Sequence, residues 1–176
     1  MKTYIVLLKG INVGGHRKVP MAELRILLAN IGFQEVTTYI QSGNVVLKSS
    51  EMDATTIESA IKAAILEHFQ FEVSVMVKTP KALQRIFENS PFSETILPSS
   101  YFMLLHSLPT KDAVAEASEK HYENETYHII DDCIYYYAEK GMGKAKFNAN
   151  LFERKLNTFI TARNYNTMRK LLSLSS

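Results

Sequence analysis

Two hydrophobic periodicities alternate along this chain, and their order constrains its fold more than any other feature. Short apolar runs and every-second-residue patterns mark strands, whereas apolar residues at three- and four-residue steps mark helices. Residues 4–9 form the first apolar run, closed by Gly10 and followed by a glycine-rich basic stretch through Lys18. Met21, Leu24, Leu27, Leu28 and Ile31 then make a helical stripe between Pro20, suited to a first turn, and Gly32, suited to a stop. Residues 36–40 and 45–48 predict two strands joined through Gln41-Ser42-Gly43-Asn44, where Gly and Asn tolerate the positive φ of a tight connection. Asp53 predicts the N-cap of a second helix with Ile57, Ile61, Ala64, Ile65, His68 and Phe69 on one stripe. Val73, Val75 and Val77 alternate with Ser74, Met76 and Lys78, a strand pattern. The first half therefore reads βαββαβ.

Thr79 and Pro80 are suited to the cap and first turn of a short connecting helix carrying Leu83, Ile86 and Phe87, ended by Ser90-Pro91. After a Pro- and Ser-rich stretch the order starts again. Residues 101–106 read as a strand, Thr110 caps a helix with Ala113, Val114 and Ala117, and residues 126–130 and 133–138 flank an Asp131-Asp132 turn expected to face water. Leu151, Phe152 and Leu156 mark a helix, residues 158–161 a strand, and Met168, Leu171 and Leu172 a last helix that Asn164 can cap. A repeated element order without repeated sequence predicts an α+β fold of two ferredoxin-like βαββαβ units in tandem with a C-terminal helix. The expected division is 1–78 for the first unit, 79–100 for a connector with a short helix, and 101–176 for the second unit and last helix.

Composition narrows the function classes. The chain has 176 residues, 46% hydrophobic, enough apolar surface for a real core, which excludes disorder. No run reaches the roughly 18 apolar residues of a membrane span, and the opening apolar run is too short for a signal peptide. With a single cysteine, Cys133, no internal disulfide is possible, so a cytoplasmic location is expected. Twenty basic against eighteen acidic residues give a net charge of +2, which argues against broad nonspecific coating of DNA. Five histidines lack metal-ligand spacing, so no metal and no cofactor is expected. Cys133 in an apolar strand reads as a buried, inert thiol, and Tyr135-Tyr136-Tyr137 divides between two strand faces.

Four polar motifs remain. Lys9-Gly10-Ile11-Asn12-Val13-Gly14-Gly15-His16-Arg17-Lys18 has glycines and cations that suit an anion, but not the spacing of a P-loop or a dinucleotide fingerprint; a tight structural crossing is the alternative. Gly141-Met142-Gly143-Lys144-Ala145-Lys146 places two lysines on one side if extended, enough to hold a phosphate or carboxylate; a solvated turn is the alternative. Arg163 offers a rigid donor fork with amides, hydroxyls and a helix N-terminus beside it; the alternative is that Asn164 and Thr167 only satisfy the helix start and Arg163 pairs with a carboxylate. Gln41, Ser42 and Asn44 can present polar groups to a ligand or simply build the hairpin.

Taken together, Lys9-Gly10-Ile11-Asn12-Val13-Gly14-Gly15, Tyr39-Ile40-Gln41-Ser42-Gly43-Asn44-Val45 and Thr161-Ala162-Arg163-Asn164-Tyr165-Asn166-Thr167 resemble the bacterial domain-of-unknown-function 1697 family, with Lys18, Met21, Leu24 and Gly32 at positions its pattern favours. Lys144-Ala145-Lys146-Phe147 is similar to its later basic segment. The resemblance spans the chain and implies a duplicated ferredoxin-like fold in a cytoplasmic bacterial protein, with no catalytic residues to carry over. It departs at Lys9, where arginine is more common, and at Tyr165, where tryptophan is.

The function expected from these residues is binding of an anionic, phosphate-bearing small molecule or nucleic acid by Lys9, Asn12, Lys18, Gln41, Ser42, Asn44, Lys144, Lys146, Arg163 and Asn164. An enzyme acting on a phosphorylated metabolite and a scaffold protein without a ligand site are the alternatives, and the sequence sets no oligomeric state. With the first and third strands of each unit expected to run parallel, the loop after strand one falls a strand length, roughly 17 to 20 Å, from the hairpin, and the 141–146 loop equally far from Arg163. On that expectation a composite site requires a cleft between the units.

Overall fold

The computed structural model describes residues 1–176. It is a mixed α+β protein with two four-stranded antiparallel sheets and six helices. The chain divides into two compact units, Met1–Gln84 with Lys170–Ser176, and Arg85–Arg169.

In the first unit β1 (Lys2–Leu8), α1 (Met21–Asn30), β2 (Gln34–Tyr39), β3 (Asn44–Ser49), α2 (Ala54–Phe69) and β4 (Val75–Lys78) follow one another, with sheet order β2-β3-β1-β4. Tyr4, Val6 and Leu8 share a core with Val45, Leu47, Leu24, Leu28, Ile57, Ile61 and Ile65, so both helices cover one sheet face. The Asp53 carboxylate caps α2 by accepting from the Thr56 amide at 2.8 Å and its hydroxyl at 2.7 Å. Two residues assigned to the helical stripes stand outside: Ile31 is the exposed C-cap of α1, and His68 reaches Glu23 across the surface at 2.6 Å. In β4 the expected alternation is absent, since Val75, Met76 and Val77 are all buried; a strand covered on both faces reads as a continuous apolar run.

α3 (Pro80–Glu88) is capped by Thr79, whose hydroxyl accepts from the Ala82 amide. The second unit contains β5 (Tyr101–Leu105), α4 (Lys111–Ser118), β6 (Glu125–Ile130), β7 (Cys133–Ala138), α5 (Ala149–Leu156) and β8 (Ile160–Asn164), in sheet order β6-β7-β5-β8, followed by α6 (Tyr165–Leu174). Met103, Leu105, Ile134, Tyr136 and Ile160 pack with Ala117, Phe152 and Leu156 on the helical face. On the opposite face Phe87 stacks on Phe102 at 5.6 Å, and the Tyr135 hydroxyl donates to the Ile86 carbonyl at 2.7 Å. Tyr135 and Tyr136 are thus buried on opposite faces. Asp132 does not face water as expected: it takes a 2.8 Å ion pair from Arg85.

Strand direction overturns one expectation. β1 and β3 are antiparallel, with Leu7 opposite Asn44, as are β5 and β7, with Tyr101 opposite Tyr136. The physical reason is the hairpin: a strand-helix-strand crossover returns the second strand in the direction of the first, and the tight turn then reverses the third. The loop after β1 and the β2–β3 turn therefore lie at the same end, joined by the Leu8 amide donating to the Gly43 carbonyl at 2.8 Å. In the second unit Tyr101 pairs with both Tyr136 and Asn164, so the loop after β7 and the end of β8 also share one end. Each unit brings its own loops together.

Candidate functional site

The first-half motifs form a polar knot. Asn12 sits at φ +55 and spends its whole amide on backbone: Nδ2 donates to the Val19 carbonyl at 3.0 Å and the Gln41 carbonyl at 2.7 Å, while Oδ1 accepts from the Val19 amide at 2.8 Å. Beyond it, Gly14 and Gly15 both have positive φ between Val13 and His16, which bridge to each other, as in a two-residue hairpin turn. The two glycines therefore build a turn. Asn44 is fully buried, its Nδ2 donating to the Tyr39 carbonyl at 3.1 Å and to the Ser42 hydroxyl at 2.9 Å. Lys18 and the Gln41 side chain are exposed; Lys9 is half-buried, its amide donating to the Ser74 carbonyl.

Arg163 is buried near the end of β8, where its Nη1 donates to the Thr161 hydroxyl and the Ala162 carbonyl, each at 2.8 Å. Burial lowers its pKa to about 10, which still leaves it charged at neutral pH. Asn164 caps α6 by accepting from the Thr167 amide at 2.9 Å.

The Gly141 loop carries a cluster of cations that lines a cavity. The extended segment that would put Lys144 and Lys146 on one side is not formed: Met142–Lys144 is a short 3-10 turn entered through Gly141 at φ +79. The amides that follow are engaged by a carboxylate of the protein itself. Glu125, at the start of β6, accepts from the Lys146 amide, from the Phe147 amide at 3.0 Å and from the Tyr136 hydroxyl at 2.8 Å. Burial, then the bond to Glu125, raises the Tyr136 pKa well above the usual phenol value, so the hydroxyl stays a donor. Phe147 anchors the loop by stacking on Phe152 at 4.4 Å. With the backbone held this way, Lys140, Lys144 and Lys146 project around a cavity of about 220 Å³, with Glu123 and Glu125 also on its wall.

Comparison with known proteins adds the family. The model described as Protein of unknown function (DUF1697) matches residues 1–135. The chain belongs to this family. Among solved structures, the conserved bacterial protein SP0830 from Streptococcus pneumoniae is similar over 99% of this chain and 98% of its own length, at 26% identity and a TM-score of 0.78. No curated protein matches. The DUF1697 match includes the Asn12 knot and the Gln41-Ser42-Gly43-Asn44 turn but ends before the three lysines and Arg163, so the whole-chain likeness rests on the structural neighbour.

Lys140 and Glu125, which shape the lysine cavity, were not among the expected site residues. Lys140 carries no motif, and Glu125 is joined to Lys146 and Phe147 only through contacts 21 and 22 residues distant in sequence. A run of three lysines within seven residues, 140–146, was the available signal for the first; nothing local marks the second. No three His, Cys, Asp or Glu side chains are grouped to hold a metal, and no helix is long and apolar enough to cross a membrane.

Proposed function

We propose that this protein binds a phosphate-bearing ligand at the lysine cavity of its second unit. The observation that carries the reading is the convergence of Lys140, Lys144 and Lys146 on one concave wall whose supporting loop is already fixed by Glu125. Glu125 is bound to two backbone amides and Tyr136, and the three lysines of the wall outnumber its two carboxylates, Glu123 and Glu125, by one charge. Lysine suits this task as a compact cation that tolerates several phosphate orientations. The element and strand orders support reading each half as a ferredoxin-like unit, so that the fold is a tandem of two. A cytoplasmic bacterial setting, where phosphorylated metabolites abound, agrees with the lone reduced cysteine and the bacterial neighbour.

Calorimetric titration with inorganic phosphate and glycerol phosphate at two salt concentrations tests this. The expected result is binding that weakens with salt and falls about tenfold in Lys144→Ala with Lys146→Ala, while the melting temperature barely moves, since exposed charges contribute little to folding. Absence of binding by the unmutated protein, or equal binding by the double variant, overturns it.

A further inference from the structure

We infer that the ligand of the lysine cavity is a nucleoside monophosphate, with its phosphate among the lysines and its base in an adjoining cleft; this rests on the phosphate-binding reading above. The adjoining cleft has a volume of about 340 Å³ and is lined by Tyr101, Tyr137, Glu139 and Met142, among others. It shares Ala138 and Gly141 with the lysine cavity. Both shared residues are small, and a Cβ added at Gly141 meets no atom within 4 Å outside its chain neighbours, so the border between the two spaces is low at that point. A molecule can lie across this saddle.

The chemistry of the two ends differs in a directed way. The lysine cavity alone is smaller than the roughly 300 to 1,000 Å³ of common small-molecule sites, so it suits a phosphate with little else. The second space has aromatic rings and an exposed thioether, which favour a flat polarisable group. Glu139 repels a second phosphate from that end but accepts hydrogen bonds from a ribose hydroxyl or an exocyclic amine. A monophosphate joined through a sugar to a planar base matches this sequence of groups, and stacking between a base and an aromatic side chain is tolerant of base identity.

The test compares adenosine monophosphate with glycerol phosphate on the full chain, by calorimetry and by the Met142 methyl resonance. Adenosine monophosphate should bind about tenfold more tightly, a gain expected of one stacked base. It should shift the Met142 methyl, which glycerol phosphate should leave in place. In Met142→Ser, and independently in Tyr137→Leu, the advantage should shrink to within about threefold while glycerol phosphate binding is unchanged. Equal affinity for the two ligands in the unmutated protein, or tighter nucleotide binding that neither moves the methyl nor responds to either variant, overturns the nucleotide assignment and leaves the phosphate site standing. If neither ligand binds, the phosphate reading itself falls, and the nucleotide with it.

Discussion

At Gly43 two independent constraints meet in one residue. Its φ is +80, and a Cβ placed there falls 2.6 Å from the Leu8 Cβ and 3.2 Å from the Leu8 carbonyl oxygen. Gly15 has a similar φ of +77 but open space around it. Gly43→Ala should therefore cost about 2 to 3 kcal/mol in urea unfolding, combining backbone strain with a clash that β1 cannot relieve, whereas Gly15→Ala should cost about 1 kcal/mol from strain alone. Equal losses would show that the close approach to Leu8 is unimportant. Tyr122 presents the reverse case: its ring packs against Tyr127 and Phe147, yet its buried hydroxyl has no hydrogen-bond partner. Tyr122→Phe keeps the ring contacts and removes a desolvated polar group, so stability should hold or rise by up to about 1 kcal/mol, read from the same unfolding curves.

Helix starts were legible because their chemistry is local. Asp53, Thr79, Thr110 and Asn164, each expected as a cap, all accept from the amide three residues ahead. Asn148, not among the expected caps, does the same for α5. Hydrogen bonds from Thr56 stabilise the Asp53 carboxylate and hold its pKa below the ordinary value of 3.8. A carboxyl with a depressed folded-state pKa stabilises the fold fully above its unfolded pKa and loses that contribution as pH falls through the folded value. Asp53→Ala should accordingly lower the melting temperature at neutral pH, with the gap closing as pH drops below about 4; thermal melts across that range check it. A gap that stays constant to low pH would mean that the charge of the cap is irrelevant to α2.

For the whole molecule, the net charge of +2 is small, and the lysine cavity gathers three cations, Lys140, Lys144 and Lys146. Nonspecific duplex binding grows with the number of phosphates neutralised, and three clustered lysines supply few. Fluorescence anisotropy with a random duplex should therefore show no binding at about 0.15 M salt. Tight duplex binding would relocate the function to a broad surface.

The sequence by itself determined the elements, most of their caps, the helical core stripes and the family, because each depends on residues within four positions or on motifs of a few consecutive residues. It also marked Asn12, Asn44 and Arg163 as special without showing why. Tertiary structure decided that Asn12 and Asn44 are bound to backbone, that Arg163 is buried and that Glu125 fixes the lysine loop. It also decided that β1 and β3 run antiparallel, which places the loops of each unit at one end. These outcomes depend on pairings across tens of residues, where the partner that satisfies a polar group is chosen by which strands become neighbours, and no local pattern records that choice.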